Sequence, residues 1–251
     1  MSTLAQPSPS LPSATGSLGP YRVMVVDDSV VIRGLLTKIL EKGGDITVVA
    51  SAANGEQAIK ALGRYDIEVI VLDIEMPVMG GMTALPLLLE QDPKLQIIIA
   101  STLSLKNAEV SLRALSSGAA DYIPKPTAIS DVGAAGDFGR ELLEKVRGLG
   151  NRRRSKHVAP KAVAGIKSVV KKEKHGGLYG NAPVVLRKPS LDMPQVLAIG
   201  SSTGGPQALF TVLENLGKFG LPIFITQHMP PTFTAILAAH INRISEIPCA
   251  E

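Results

Sequence analysis

Short apolar runs alternate with stretches of helical periodicity through the first 150 or so residues of the chain. In the first unit, Val23-Met24-Val25-Val26 is followed by apolar residues at helical spacing from Ile32 to Leu40. Runs that are apolar on both faces are typical of parallel strands covered by helices on either side. The strand-like runs are residues 23–26, 48–50, 69–72, 97–100 and 120–123, and helices are predicted near residues 32–40, 55–63, 81–91, 106–117 and 137–149. This alternation predicts a doubly wound α/β domain with a parallel sheet.

A second, shorter α/β pattern begins at residue 196. It runs as a strand, a glycine-rich turn, a helix over about 205–217, a strand over 222–227 and a helix over about 233–245. This order predicts the N-terminal part of a second, Rossmann-like α/β domain in residues 194–251. A two-stranded piece of parallel sheet has an open edge and a thin core, so we expect it to be loosely ordered on its own. Strong protection of its amides from hydrogen exchange would contradict this expectation.

The positive charge of the chain is concentrated in one segment. Residues 147–193 hold 12 Lys and Arg against two acids, whereas the rest of the chain holds 14 Lys and Arg against 20 acids. Because the segment also lacks an apolar period, we interpret residues 148–193 as a basic, flexible linker. Residues 1–20, rich in Ser, Pro and Gly, are interpreted as a disordered tail. The folded parts are therefore net acidic, and no helix-turn-helix pattern accompanies the linker, so we expect no nucleic-acid binding.

The chain has one cysteine, Cys249, so an internal disulfide is excluded, which fits a reducing compartment. No apolar run reaches the ~18 residues that a membrane-spanning helix needs. The N-terminus has no basic region followed by an apolar stretch, as a secretory signal would have. We therefore expect a cytoplasmic protein without membrane insertion.

Polar side chains follow the predicted strands at the ends where parallel strands meet. Asp27 and Asp28 follow the first run, and Asp73 ends the third. Ser101 follows the fourth run and Lys125 the fifth. In doubly wound sheets, functional groups collect at this carboxyl edge. Three carboxylates would repel one another unless a hard cation such as Mg²⁺ neutralised them, and a lysine and a hydroxyl beside them suit a phosphoryl group. The set predicts Asp73 as the acceptor of an acyl-phosphate, although a single Asp in such a place is more often a helix cap.

A glycine-rich turn, Gly200-Ser201-Ser202-Thr203-Gly204-Gly205, follows the first run of the second pattern. One interpretation is a cradle of backbone amides for a phosphate or dinucleotide, although the P-loop lysine and the G-x-G-x-x-G spacing are missing. Another is a nucleophile turn, with Ser202 beside amides that could hold an oxyanion. Ser202 or Thr203 could also simply cap the helix. His228 follows the next strand and would lie on the same edge of a parallel sheet, which makes it a candidate general base and favours the nucleophile turn.

Over about residues 21–147, the chain resembles the response-regulator receiver domain family. The resemblance rests, in chain order, on Asp27-Asp28, Leu72-Asp73-Ile74-Glu75-Met76-Pro77, Gly80-Gly81, Ser101 and Tyr122-Ile123-Pro124-Lys125-Pro126. It implies a flavodoxin-like fold in which Asp73 is phosphorylated. The implied Mg²⁺ ligands are Asp27, Asp28, Asp73 and the main chain of Glu75. The resemblance also implies that Ser101 is the switch hydroxyl and that Lys125 senses the phosphate. Tyr122 takes the aromatic switch position, for which simple core packing is the alternative.

Together with this domain, two later motifs resemble the chemotaxis protein-glutamate methylesterase family, in which a linker joins a receiver to a Ser-His-Asp hydrolase. The motifs are Ala198-Ile199-Gly200-Ser201-Ser202-Thr203-Gly204-Gly205 and Ile225-Thr226-Gln227-His228-Met229-Pro230-Pro231. The resemblance implies that Ser202 is the nucleophile and His228 the base. Backbone amides near Thr203 and Gly204 would hold the oxyanion. The implied partners are a chemotaxis histidine kinase as phosphodonor and methyl-accepting chemoreceptors as substrates, whose glutamate methyl esters are hydrolysed and whose glutamines could be deamidated. Ser201 stands where the family more usually has Ala.

The acid of the family's Ser-His-Asp set has no counterpart after His228. The last aspartate is Asp192, and only Glu246 and Glu251 follow His228. The family's domain continues well past this point, so we expect a C-terminally truncated copy. Loss of the acid lowers the rate of serine proteases by on the order of 10⁴-fold. The alternative is a non-catalytic phosphoacceptor signalling module, and sequence beyond residue 251 would decide between the two.

Overall fold

A five-stranded parallel sheet organises the first domain in the computed structural model of the chain. The structure describes residues 19–102, 104–125, 136–155, 194–217, 220–245 and 247–251. The strands are β1 (Tyr21–Val26), β2 (Ile46–Ala52), β3 (Val69–Asp73), β4 (Gln96–Ser101) and β5 (Asp121–Pro124), in the order β2-β1-β3-β4-β5. The helices are α1 (Val30–Glu41), α2 (Gly55–Leu62), α3 (Gly81–Gln91), α4 (Leu105–Ser116) and α5 (Asp137–Ser155). The predicted doubly wound fold is confirmed, and most of the predicted tail and linker lies outside the described residues.

Apolar side chains cover both faces of this sheet. On one face, Val23 and Val25 of β1 belong to a buried cluster shared with α1 and α5. On the other, Met24 and Val26 belong to a cluster shared with α2, α3 and α4. A strand that is buried on both sides needs apolar residues at every position, which explains why its sequence shows no alternation. The helices act as covers of the sheet, and none of those described is long and apolar enough to cross a membrane.

Helix α5 extends beyond residue 147, where the first domain was expected to end and the linker to begin. The helix spans Asp137–Ser155, so residues 148–155, which the sequence analysis assigns to the linker, are helical. The Arg154 guanidinium binds the buried carboxylate of Glu68 through two hydrogen bonds of 2.6 and 2.8 Å. An arginine that suggests a solvated linker in the sequence therefore has a partner far away along the chain.

A second, two-stranded parallel sheet follows. Strand β6 (Leu197–Ser201) pairs with β7 (Ile223–Gln227). Helix α6 (Gly205–Leu216) connects the two strands, and α7 (Pro231–Ile244) follows β7. Residues of both strands alternate between partly buried and exposed, as expected for a sheet with one covered face. The second, partial α/β domain predicted from the sequence is therefore present.

Helices α6 and α7 pack against α4 and β5 of the first domain. Phe233 on α7 is fully buried, and its ring stacks on Tyr122 of β5 with 4.6 Å between centroids and 7° between planes. On α4, the Ser116 hydroxyl lies 2.8 Å from Nε2 of His240. Apolar residues of α6 and α7 join the same buried cluster as those of α4. The second domain therefore shares a core with the first, and its looseness in isolation stays a prediction.

Candidate functional site

Three carboxylates meet at the carboxyl edge of the first sheet. Strands β1 and β3 are neighbours, so Asp27, which follows β1, lies beside Asp73, which ends β3. One oxygen each of Asp27, Asp28 and Asp73 lies within 4.8 Å of the other two. Asp27 and Asp73 are buried, whereas Asp28 is exposed. The acids that the sequence places after separate strands therefore form one pocket.

Lys125 reaches this pocket from the end of β5. Its Nζ lies 2.7 Å from Oδ2 of Asp27 and 2.7 Å from Oδ2 of Asp73. Burial alone would lower the pKa of Lys125, but its hydrogen bonds to the two carboxylates raise the pKa above the ordinary value. Burial raises the pKa of Asp73, and the pairing with Lys125 offsets only part of that effect. The pocket thus holds a charged lysine beside a carboxylate that is poorly solvated.

The pocket keeps a surplus of negative charge, because three carboxylates face one ammonium group. Carboxylate oxygens are hard ligands of the kind that Mg²⁺ prefers. Glu75, whose main chain is a further predicted ligand, lies next to the cluster, where its N–H donates to Oδ1 of Asp73 at 3.4 Å. The residues present therefore fit a divalent cation.

Ser101 and Tyr122 make their contacts away from the carboxylates. The Ser101 hydroxyl lies 2.8 Å from that of Ser111 on α4, and Ser111 in turn donates to the carbonyl of Asn107. Ser101 is therefore the donor of the pair, and within the described residues no hydrogen bond joins it to Asp73. Tyr122 is buried under Phe233, and burial raises the pKa of its phenol, which stays uncharged. The two predicted switch residues thus lie at the boundary with α4 and the second domain.

Ser202 and His228 follow neighbouring strands at one edge of the second sheet. Strands β6 and β7 pair in parallel with Ser201 opposite Gln227, so the next residues along the two strands are Ser202 and His228. The His228 N–H donates to the Ser201 carbonyl at 3.3 Å. Both Ser202 and His228 are exposed, and none of the hydrogen bonds among the described residues joins their side chains. The structure therefore brings the two residues to one edge of the sheet.

The side chain of Gln227 connects the two segments that carry Ser202 and His228. Its Oε1 accepts a hydrogen bond from the Ser201 hydroxyl at 2.5 Å. Its Nε2 donates to the carbonyls of Ser202 at 3.0 Å and His228 at 3.2 Å. Gln227 was not among the site residues predicted from the sequence. A signal was available, because Gln227 directly precedes His228 and its partner Ser201 stands at the position where the chain departs from the family's usual residue.

The Gly204 N–H, a predicted oxyanion donor, is bound by a carboxylate of the first domain. Gly204 has a φ of 69°, in the left-handed region that favours glycine, and its N–H donates to Oδ2 of Asp121 at 2.8 Å. The other oxygen of Asp121 lies 3.1 Å from Nζ of the buried Lys145. Thr203, the other predicted donor, is exposed. Sequence reasoning missed Asp121 and Lys145, although an acid at the start of an apolar strand was a usable signal.

Comparison with known families finds two matches along the chain. Residues 23–135 match the response regulator receiver domain. Residues 197–251 match the CheB methylesterase family. The first match lies in the first domain and ends before α5, and the second begins with β6.

Similar full-length proteins carry one name. A protein-glutamate methylesterase/protein-glutamine glutaminase of Rhodospirillum rubrum is 52% identical over 244 residues, which is 93% of this chain and 62% of that protein. One of Paramagnetospirillum magneticum is 51% identical over 95% of this chain and 63% of its own length. The chain therefore spans less than two thirds of the length of these relatives. The crystal structure of the response regulator domain of Thermotoga maritima CheB aligns at 36% identity and a TM-score of 0.45, over 53% of this chain and 97% of that one.

Proposed function

This chain belongs to the protein-glutamate methylesterase/protein-glutamine glutaminase family, and from that membership we propose a phosphorylation-regulated hydrolase that removes methyl groups from glutamate methyl esters of chemoreceptors. The observation that carries the proposal is the placement of Ser202 and His228 at one edge of paired strands. The same chain carries a pocket of three carboxylates and a lysine. A non-catalytic phosphoacceptor module is not favoured, because the relatives described above carry the names of enzymes.

In the proposed first domain, Asp73 accepts the phosphoryl group from a chemotaxis histidine kinase in the cytoplasm. Asp27, Asp28 and Asp73, with the main chain of Glu75, would hold Mg²⁺, which would neutralise charge on the phosphoryl oxygens. Lys125 already contacts Asp73 and would pair with a phosphoryl oxygen once the acyl-phosphate forms. Ser101 would exchange its hydrogen bond with Ser111 for one to the phosphoryl group, and Tyr122 would respond at the boundary with the second domain.

In the proposed second domain, Ser202 Oγ attacks the ester carbonyl of a receptor glutamate. His228 accepts the serine proton and returns it to the methoxy leaving group, so methanol departs and an acyl-enzyme remains. Water then adds to the acyl-enzyme with His228 as the base, and a free glutamate and Ser202 are regenerated. Backbone amides of Thr203 and Gly204 would stabilise the tetrahedral oxyanion. With a receptor glutamine as substrate, the same sequence of steps would release ammonia in place of methanol.

Control by phosphorylation has a structural basis at Gly204. Its N–H cannot hold an oxyanion while it donates to Asp121 of the first domain. The proposed activity therefore requires the first domain to move away from the turn that carries Ser202. A phosphorylation-dependent separation of the two domains would provide that release.

The experiment is the release of methanol from methylated chemoreceptors, measured with and without a phosphodonor. We expect the protein to release methanol faster with the phosphodonor, Asp73→Asn to lose that stimulation, and Ser202→Ala to release none above background. Ser117→Ala is the matched control, because Ser117 is an exposed serine at the end of α4 whose hydroxyl only donates to the Arg113 carbonyl. Equal methanol release by the unmodified protein and Ser202→Ala would refute the proposed function.

A further inference from the structure

We propose that Gln227 is a positioning residue of the hydrolase, whose carboxamide holds the Ser202 turn and the His228 segment at a defined separation. The inference rests on the proposed function, because it concerns how the proposed nucleophile and base are held relative to one another. Gln227 itself is not placed at the reacting atoms. Its role would be carried out through its hydrogen bonds to both segments.

The hydrogen bonds of Gln227 use every donor that its carboxamide has. The two N–H groups of Nε2 bind the carbonyls of Ser202 and His228, at 3.0 and 3.2 Å. Oε1 accepts the hydroxyl of Ser201 at 2.5 Å. The orientation of the amide is determined by these partners, because a carbonyl is only an acceptor, and a reversed amide would bring Oε1 against two carbonyl oxygens. One side chain therefore bonds to the main chain of both proposed catalytic residues.

The surroundings of Gln227 are shaped to admit its side chain. Gly205 begins α6 directly beneath the carboxamide. A Cβ atom on Gly205 would lie 2.3 Å from Oε1 of Gln227 and 2.8 Å from Cβ of Ser201, so the Gln227 side chain would have to move. The strand pairing ends at Ser201 and Gln227, and beyond it the His228 N–H donates to the Ser201 carbonyl at 3.3 Å. The second glycine of the Gly204-Gly205 pair is thus explained by the space that Gln227 needs.

The proposed reaction depends on the distance between Ser202 and His228, which the hydrogen bonds of Gln227 help to set. A serine and a histidine transfer a proton only when they approach to hydrogen-bond distance, and a displacement of 1 Å can lower a rate by about 100-fold. In this structure the two side chains are exposed, and no hydrogen bond among the described residues joins them. Their approach therefore depends on the main-chain segments that carry them, and the Gln227 side chain binds both segments past the end of the strand pairing. The expected effect is on kcat, since Gln227 would act through the segments that carry Ser202 and His228.

The sharpest variant is Gln227→Glu, which keeps the size of the side chain and the acceptor for Ser201. It replaces the two donors by a carboxylate oxygen that faces two carbonyls, so both segments are repelled. Ser201→Ala removes the hydroxyl bond alone and leaves both donor bonds in place. Gln207→Glu is the matched control, because it makes the same change of charge on α6, at a side chain outside the turn.

Two measurements test the proposal. In the methanol-release assay, we expect Gln227→Glu to lower kcat by about 10-fold or more with KM changed by less than about twofold, and Ser201→Ala and Gln207→Glu to change kcat by less than about twofold. By NMR, we expect Gln227→Glu to shift the amide resonances of His228 and of the Ser202 turn together and to speed the hydrogen exchange of His228. Acidification should partly reverse these changes, because a protonated carboxyl group regains one donor.

The NMR measurement decides the inference without any catalysis. If neither the unmodified protein nor Ser202→Ala releases methanol, the proposed function fails, while coupled shifts of the two segments would still support the role of Gln227 in holding them. If Gln227→Glu leaves the His228 and Ser202-turn resonances unchanged, or if it disturbs only one segment, the inference is overturned. A normal kcat in Gln227→Glu would overturn it as well.

Discussion

The folded chain disfavours the charged form of the Asp73 carboxyl group. Burial raises the pKa of its carboxyl group and the neighbouring charge of Asp27 raises it further, whereas Lys125 lowers it. The net pKa lies above the ordinary value of 3.8, so the folded chain disfavours the carboxylate that a phosphoacceptor needs. A neutral side chain of the same shape would therefore be less costly to bury at this position.

Asp73→Asn is therefore expected to stabilise the folded chain at neutral pH, by on the order of 1 kcal/mol in the free energy of unfolding. The folded pKa is raised, so the unfolded chain loses its proton first, and the contribution of Asp73 to stability falls as the pH rises from 3.8 through the folded pKa. The gain from Asn should accordingly be larger at about pH 8 than at about pH 4. Urea unfolding of the unmodified protein and the variant at the two pH values measures this gain in the free energy of unfolding.

Mg²⁺ supplies a second measurement on the same variant. A cation that binds the folded pocket stabilises it by mass action, so the unmodified protein should gain more stability from Mg²⁺ than Asp73→Asn does. Asp28 belongs to the same cluster but is exposed, so without Mg²⁺ we expect Asp28→Asn to change the stability little. A lower stability of Asp73→Asn than of the unmodified protein at neutral pH would contradict the argument.

The convergence of residues at each site was predictable, and their partners in the other domain were not. Parallel strands end at a common edge, so residues that follow them are brought together whatever the details of packing, which gives the Asp27 and Asp73 pair and the Ser202 and His228 pair. The bond from Gly204 to Asp121 depends on how the two domains dock. Docking is decided by the shape and packing of whole faces, which local patterns do not encode.

At the level of elements, the C-terminal turns of α5 depend on ion pairs with distant strands and loops. Arg154 binds Glu68, which is buried, and also donates to the carbonyls of Gly19 and Pro20. Arg153 pairs with Asp92 at 2.8 Å. A run of arginines without apolar neighbours predicts a solvated linker, and only the fold reveals that acids lie within reach. This explains why the sequence predicted the helix but ended it too early.

Arg154→Ala should destabilise the first domain by about 3 kcal/mol, because it leaves the buried Glu68 carboxylate without its main partner. Arg154 also holds the pKa of Glu68 below its ordinary value of 4.5 against the effect of burial, which raises it. The stability that this pair contributes is thus fully present above pH 4.5 and is lost as the pH falls through the pKa of folded Glu68. Arg140→Ala on the same helix, where the pair with Asp137 is exposed, should change stability by less than about 1 kcal/mol. Similar unfolding midpoints for the two variants would refute the role given to Arg154.

At the scale of the whole molecule, β5 connects the two candidate sites. The strand begins at Asp121, which binds the Gly204 N–H and Lys145, and Lys125 directly follows its end in the pocket of three carboxylates. Tyr122, the second residue of the strand, stacks on Phe233 of the second domain. A change at the carboxylates therefore has a short, packed route to the turn that carries Ser202, through one four-residue strand.

This arrangement predicts that Asp121→Asn weakens the docking of the second domain. The variant removes the carboxylate from the Gly204 amide at the N-terminus of α6, where a negative charge is favoured, and we expect basal methanol release to rise and the phosphodonor to stimulate it less.

Asp121→Asn also removes a partner of Lys145, so reduced stability of the first domain alone could loosen the contact. Phe233→Ala separates the two effects, because it removes the stack on Tyr122 and leaves Asp121 and Lys145 in place. Both variants should speed hydrogen exchange in α7, whereas Asp66→Asn at an exposed site should not. If both variants kept the α7 exchange and the basal rate of the unmodified protein, this contact would not be the one that phosphorylation must break.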